Sequence, residues 1–210
     1  MSIELLNIDC MEYMKDQADD SFDLAIVDPP YGIDASRMTM GSGSGNDIKK
    51  HDTKKKWDLD IPDASYFEEL KRVSKNQVIW GGNYFLDYLG NTRCLLIWDK
   101  KDYNSDFADG ECAWTSFDKN LKIYCRARSA GGDSKNKIHP TQKPVRLYRW
   151  ILESFSKPDQ KILDTHLGSG SSAIAAHYFG CDFVGCELDK DYFDSAKDRF
   201  DKQTAQNALF

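Results

Sequence analysis

The chain contains no apolar run long enough to cross a bilayer. Its start, Met-Ser-Ile-Glu-Leu-Leu, lacks the basic and apolar regions of a secretory leader. No membrane partner and a cytoplasmic location are therefore expected. The six cysteines, at 10, 94, 112, 125, 181 and 186, form neither a paired framework nor a metal-ligand spacing, and the four histidines are scattered. Reduced thiols and no metal site follow as expectations. The third glycine of Gly-x-Gly-x-x-Gly is missing, and no Lys-Ser or Lys-Thr pair follows the glycines as in a phosphate-binding loop, so a pyrophosphate ligand is disfavoured. What is present, 40% hydrophobic and 30% charged residues over 210 positions, suits a single globular domain, 1–210.

Two stretches carry the chemistry. Lys161-Ile162-Leu163-Asp164 reads as a short buried strand running into Thr165-His166-Leu167-Gly168-Ser169-Gly170-Ser171-Ser172. A helical apolar pattern over 173–179 stops at Gly180, and residues 182–187 form a strand ending in Glu187. Strand, glycine turn, helix, strand and acid make up a nucleotide-binding βαβ unit. Asp164 would repel phosphate but pair with an ammonium, and Glu187 can take ribose hydroxyls. S-adenosylmethionine offers both and carries no phosphate.

The other stretch is Asp28-Pro29-Pro30-Tyr31, which follows the apolar strand pattern of residues 23–27. Two prolines fix the backbone as the strand ends and leave a carbonyl free to accept. Asp28 and the Pro29 carbonyl can hold the two N–H bonds of an exocyclic amino group, with Tyr31 stacking on its ring. Alone, the motif is equally a sharp turn. Between the two stretches lies Ile138-His139-Pro140-Thr141-Gln142-Lys143-Pro144, where Pro144 reads as the first residue of a helix and Thr141 as its cap.

Taken together, His-Pro-Thr-Gln-Lys-Pro, Leu-Asp-x-x-x-Gly-Ser-Gly and Gly-x-Glu-Leu-Asp resemble the cofactor half of the β-class DNA amino-methyltransferases. The resemblance extends over most of the chain, from residues 6–10 through Asp-Pro-Pro-Tyr and residues 78–85 to 95–100. It implies an α/β fold: a Rossmann-like doubly wound methyltransferase sheet, circularly permuted so that the catalytic motif precedes the cofactor motif. It implies S-adenosylmethionine held by Asp9, Cys10, Thr141, Lys143, Asp164, Leu167, Gly168, Ser169, Gly170, Ser171, Ser172, Glu187 and Leu188, with Asp9 facing the adenine. The catalytic residues would be Asp28, Pro29, Pro30 and Tyr31. The chain departs from the pattern at Thr165-His166, where the family has Pro-Phe, and at Ile8, where it has Gly. Asp in the first motif position goes with adenine N6 in the family and Ser with cytosine N4. No Pro-Cys pair occurs, which argues against cytosine C5 chemistry.

The net charge of −6 is unevenly spread. Residues 119–149 hold nine basic residues against one acid, and residues 37–58 hold six against three. This polarity suits a phosphate-binding face with double-stranded DNA as partner. Arg37, Lys54, Lys55, Lys56, Arg126 and Arg128 are the candidate DNA contacts. Residues 32–56 are expected to form a mobile DNA-facing loop, and 101–137 a small target-recognition insertion. The resemblance also allows a homodimer. RNA or a protein glutamine amide is an alternative substrate that Asp in first position and the motif order disfavour, and a catalytically silent DNA-binding module is an alternative that intact Asp28, Tyr31, Asp164 and Glu187 disfavour.

Overall fold

The computed structural model describes residues 1–34, 58–101, 103, 108–127, 137–139 and 141–205. Arg37, Lys54, Lys55, Lys56 and Arg128 lie outside the described residues, as does nearly all of the expected 32–56 loop.

Eight strands form one sheet: β1 (Ile3–Leu6), β2 (Leu24–Val27), β3 (Gln77–Trp80), β4 (Leu96–Asp99), β5 (Gly110–Thr115), β6 (Lys122–Cys125), β7 (Lys161–Asp164) and β8 (Asp182–Cys186). Their order across the sheet is β1-β8-β7-β2-β3-β5-β4-β6. Every pairing is parallel except the two made by β5. The helices are α1 (Cys10–Lys15), α2 (Ala64–Val73), α3 (Leu86–Leu89), α4 (Val145–Phe155), α5 (Ser171–Phe179) and α6 (Lys190–Thr204). None of them is long and apolar enough to cross a membrane.

Helices cover both faces, which explains why the central strands read as unbroken apolar runs. Along β2, Leu24 and Ile26 join Ile151 of α4 and Ala173 of α5 in one core. Ala25 and Val27 point the other way, to Phe67 and Leu70 of α2. Trp80 and Trp98 belong to the first of these cores and are almost fully buried.

Within the stretch 101–137, expected as an insertion, residues 110–115 and 122–125 are strands of the main sheet. β5 sits between β3 and β4, with Trp114 opposite Ile79 and Ala113 opposite Leu96. The pattern showed strands but not their partners, because pairing is set by contacts distant in sequence. Pro144 is the cap position and Val145 the first helical residue of α4, and no side chain caps that helix. Thr141 instead pairs its hydroxyl with His139 Nδ1 at 3.1 Å.

β2 and β7 are neighbours, yet the chain leaves β2 for β3 through α2 on one face and leaves β7 for β8 through α5 on the other. Such a divergence opens a crevice beyond the carboxyl ends of the strands. Asp28 and Thr165 come out on either side of it.

Candidate functional site

A cavity of about 420 Å³ lies over this crevice, within the range of small-molecule sites. Its walls come from the ends of β1 (Asp9, Cys10), β2 (Asp28, Pro30), β7 (Thr165, His166) and β8 (Glu187, Leu188), the glycine loop (Leu167, Gly168, Ser169) and the segment before α4 (Thr141, Lys143). Pro29, Asp164, Gly170, Ser171 and Ser172 are not on its wall.

The glycine loop is held from both sides. Gly168 and Gly170 take positive φ values of 52° and 72°, which glycine adopts without a steric cost. Glu187 accepts the Gly168 N–H at 2.8 Å and the Asp189 N–H at 3.0 Å. From behind, the buried Arg199 of α6 donates to the Ser169 carbonyl at 2.8 Å and the Ser171 hydroxyl at 2.9 Å. Asp9 caps α1, accepting from Met11 N at 2.7 Å. Asp164 is buried beneath the loop, where one oxygen accepts from the Ser172 hydroxyl and the other from the His166 N–H at 3.0 Å. Burial pushes its carboxyl up to about 7 against these hydrogen bonds. The expected reach of Asp164 to a ligand ammonium is thus not what its position displays.

At the other end of the cavity, Asp28 is enclosed. Its Oδ1 accepts from the Tyr31 hydroxyl, and its Oδ2 meets Lys143 Nζ at 2.5 Å. Lys143 also lies 2.9 Å from Glu111 Oε2, and Glu111 Oε1 lies 2.6 Å from Lys100 Nζ. Four charges from β2, β5, the end of β4 and the segment before α4 thus alternate in sign. Burial raises the Asp28 carboxyl above its ordinary value, with Lys143 opposing and Glu111 adding to the shift. Burial would likewise raise Glu111, but the ammoniums of Lys143 and Lys100 outweigh it and hold it at about 2. Lys143, expected among the residues that hold the cofactor, has its ammonium committed to this network.

Tyr31 is not an open platform. Tyr84 stacks on it, with ring centroids 5.0 Å apart and planes at 15°. Gly81, at φ 70°, passes so close that a methyl group there would overlap the Tyr31 ring. Asp58 Oδ1 accepts the N–H groups of Tyr31 at 2.6 Å and Gly32 at 3.0 Å, fixing the turn. Arg126 is half-buried at the end of β6, where its carbonyl accepts from the Trp98 indole at 2.8 Å.

Residues 91–198 match the DNA methylase family (N6_N4_Mtase). The chain belongs to that family. It is 24% identical over 242 residues to Type II methyltransferase M2.MboI of Moraxella bovis, a match covering 93% of this chain and 86% of that one. It is 23% identical over 244 residues to Type II methyltransferase M.HinfI of Haemophilus influenzae, covering 93% and 67%. Among solved structures, the M1.HpyAVI–SAM complex superimposes with a TM-score of 0.63 at 21% identity, covering 94% of this chain and 98% of that one. The cytosine-N4-specific PvuII DNA methyltransferase superimposes with 0.62 at 12%, covering 98% and 91%. The methyltransferase fold expected from the sequence is the one observed.

The cofactor of this DNA methylase is S-adenosylmethionine, and the cavity suits it. Asp9, Asp28, Glu187 and Asp189 line the walls, and Lys143, the only Lys or Arg among the described lining residues, is neutralised by two carboxylates. Such walls favour a cation without phosphate. Sequence reasoning missed Glu111, Lys100, Tyr84, Tyr192 and Arg199. The first two are one acid and one base among many. Tyr192 packs its ring against His139 at 4.4 Å, a contact that no local pattern signals.

Proposed function

We propose that this DNA methyltransferase methylates the N6 amino group of adenine in duplex DNA at Asp28-Pro29-Pro30-Tyr31. The observation that carries the reading is Asp28, a largely enclosed carboxylate on the cavity wall at the carboxyl end of β2. Each of its oxygens keeps a lone pair for an amino N–H besides its present partner. The Pro29 carbonyl accepts the second N–H, which turns the nitrogen lone pair out of conjugation. S-adenosylmethionine supplies an electrophilic methyl group on a sulfonium centre. Asp28 and Pro29 hold the nitrogen in line with it, and alignment provides much of the rate. As the N–C bond forms, the nitrogen must lose a proton. Asp28, raised by burial, is the group placed to receive it.

The target amino group is stacked inside a duplex, so the base must be flipped out. Tyr84 is 43% exposed and covers Tyr31, so it is the ring that yields for the base to stack. In this reading Glu187 holds the ribose, Asp9 faces the cofactor adenine, and Arg126, Arg128, Arg37 and Lys54–Lys56 contact phosphates. A homodimer remains part of the proposal, since β5 and β6 take 110–115 and 122–125 out of a stretch already small for reading sequence.

Adenine is favoured because Asp occupies the first motif position. Cytosine N4 is the second reading, since the structurally similar PvuII enzyme is described as cytosine-N4-specific. Replacing Asp28→Ala should abolish methyl transfer to DNA while cofactor binding persists. Full methylation by that variant would refute the assigned role.

A further inference from the structure

Three side chains beside the cofactor cavity form a chain of hydroxyl and imidazole groups. The Tyr66 hydroxyl lies 2.7 Å from Thr165 Oγ1, which lies 2.9 Å from His166 Nδ1. Tyr66 and Thr165 are buried at 4% and 3% exposure. Tyr66, from α2, also packs its ring edge-on to His166 at 5.5 Å. His166 lines the cavity, and its Nε2 has no partner among the described residues yet is not sealed in the interior.

Counting protons fixes the direction of this chain. Each hydroxyl has one proton to donate, and among the described residues Thr165 Oγ1 is the one hydrogen-bond partner of the Tyr66 hydroxyl. If His166 Nδ1 carried the ring proton and donated it to Thr165, one of the two buried hydroxyl protons would be left without an acceptor, which is costly. Among the described residues only one arrangement gives every group a partner: Tyr66 donates to Thr165, Thr165 donates to Nδ1, and the ring proton sits on Nε2. Burial lowers the imidazole to about 4, with Asp9 opposing, so the ring is neutral at pH 7 and has a single N–H.

We propose that His166 is a cofactor-binding residue whose neutral Nε2–H, set by the Tyr66–Thr165 hydroxyl pair, donates a hydrogen bond to an acceptor atom of S-adenosylmethionine. Tyr66 is then a positioning residue. The inference rests on this cavity being the cofactor site.

The test has two readouts. Nitrogen-15 imidazole spectra of the ligand-free protein at pH 7, with the signal assigned through His166→Phe, should show Nε2 protonated and Nδ1 as an acceptor. An Nδ1–H tautomer overturns the proposal without any ligand being present. Calorimetric titration should show S-adenosylmethionine binding weakened about three- to tenfold by His166→Phe. Tyr66→Phe should weaken it in the parent background and have no further effect in His166→Phe. Equal binding by parent and His166→Phe overturns the histidine's role alone, whereas a parent that does not bind overturns the assignment of the cavity.

Discussion

Lys143 stands between two carboxylates, 2.5 Å from Asp28 and 2.9 Å from Glu111. In the proposed reaction Asp28 accepts an amino N–H on a remaining lone pair, and Glu111 shares the Lys143 ammonium so that its charge does not fall on Asp28 alone. A neutral residue at 111 leaves Lys143 to Asp28 alone and leaves Lys100 without its carboxylate. Glu111→Gln should therefore lower kcat about tenfold or more while the cofactor Kd stays within about twofold. Single-turnover kinetics beside calorimetry separates the two, and an unchanged kcat contradicts the role. That Asp28 and Glu187 come together at one cavity was legible in the sequence, because their motifs are contiguous and each acid follows a strand, whereas the cover of Tyr84 on Tyr31 was not. Glu111 was not, since it lies on a strand whose place between β3 and β4 depends on pairing. Tyr66 occupies a buried apolar position of α2, and spacing shows which face a residue occupies and not where its hydroxyl points.

Elements bring these residues together through close backbone approaches. β3 ends in Trp80-Gly81-Gly82, and the turn runs against both Tyr31 and β5. Gly81 has φ 70° and touches the Tyr31 ring, while a methyl on Gly82 would come within 2.7 Å of the Trp114 nitrogen. Gly81→Ala should displace Tyr31, costing about 1–3 kcal/mol of stability from the strained φ and most of the methyl transfer. Thermal melting and a methylation assay check this, and a variant with parental melting and activity would show that the ring needs no such support. The strands β2, β7 and β8 and the helix α5 were legible within one or two residues, because apolar periodicity and glycine stops are local signals. The clamp of Arg199 on the glycine loop was not, since α6 reads as a charged surface helix until its packing is seen.

Across the whole molecule, two buried groups pull stability in opposite directions with pH. The unfolded chain protonates a histidine below about pH 6.5, but folded His166 takes its proton only near 4. Folded His166 therefore withdraws stability as pH falls through that window. Folded Asp164 keeps its proton up to about 7, whereas the unfolded carboxyl releases it near 4, so Asp164 withdraws stability as pH rises. Replacing His166→Phe removes the first effect only. Relative to the parent, that variant should gain roughly 2 kcal/mol between pH 7 and pH 5, measurable by urea unfolding at both values. A stability difference independent of pH would contradict the neutral, buried histidine. The central claim concerns the reaction at Asp28. It is tested most directly by incubating the purified protein with S-adenosylmethionine and mixed-sequence duplex DNA, then digesting the DNA for nucleoside mass spectrometry. The account predicts N6-methyladenine, absent with Asp28→Ala. N4-methylcytosine would contradict the choice of base, and no methylated nucleoside from a protein that binds the cofactor would contradict DNA as the substrate.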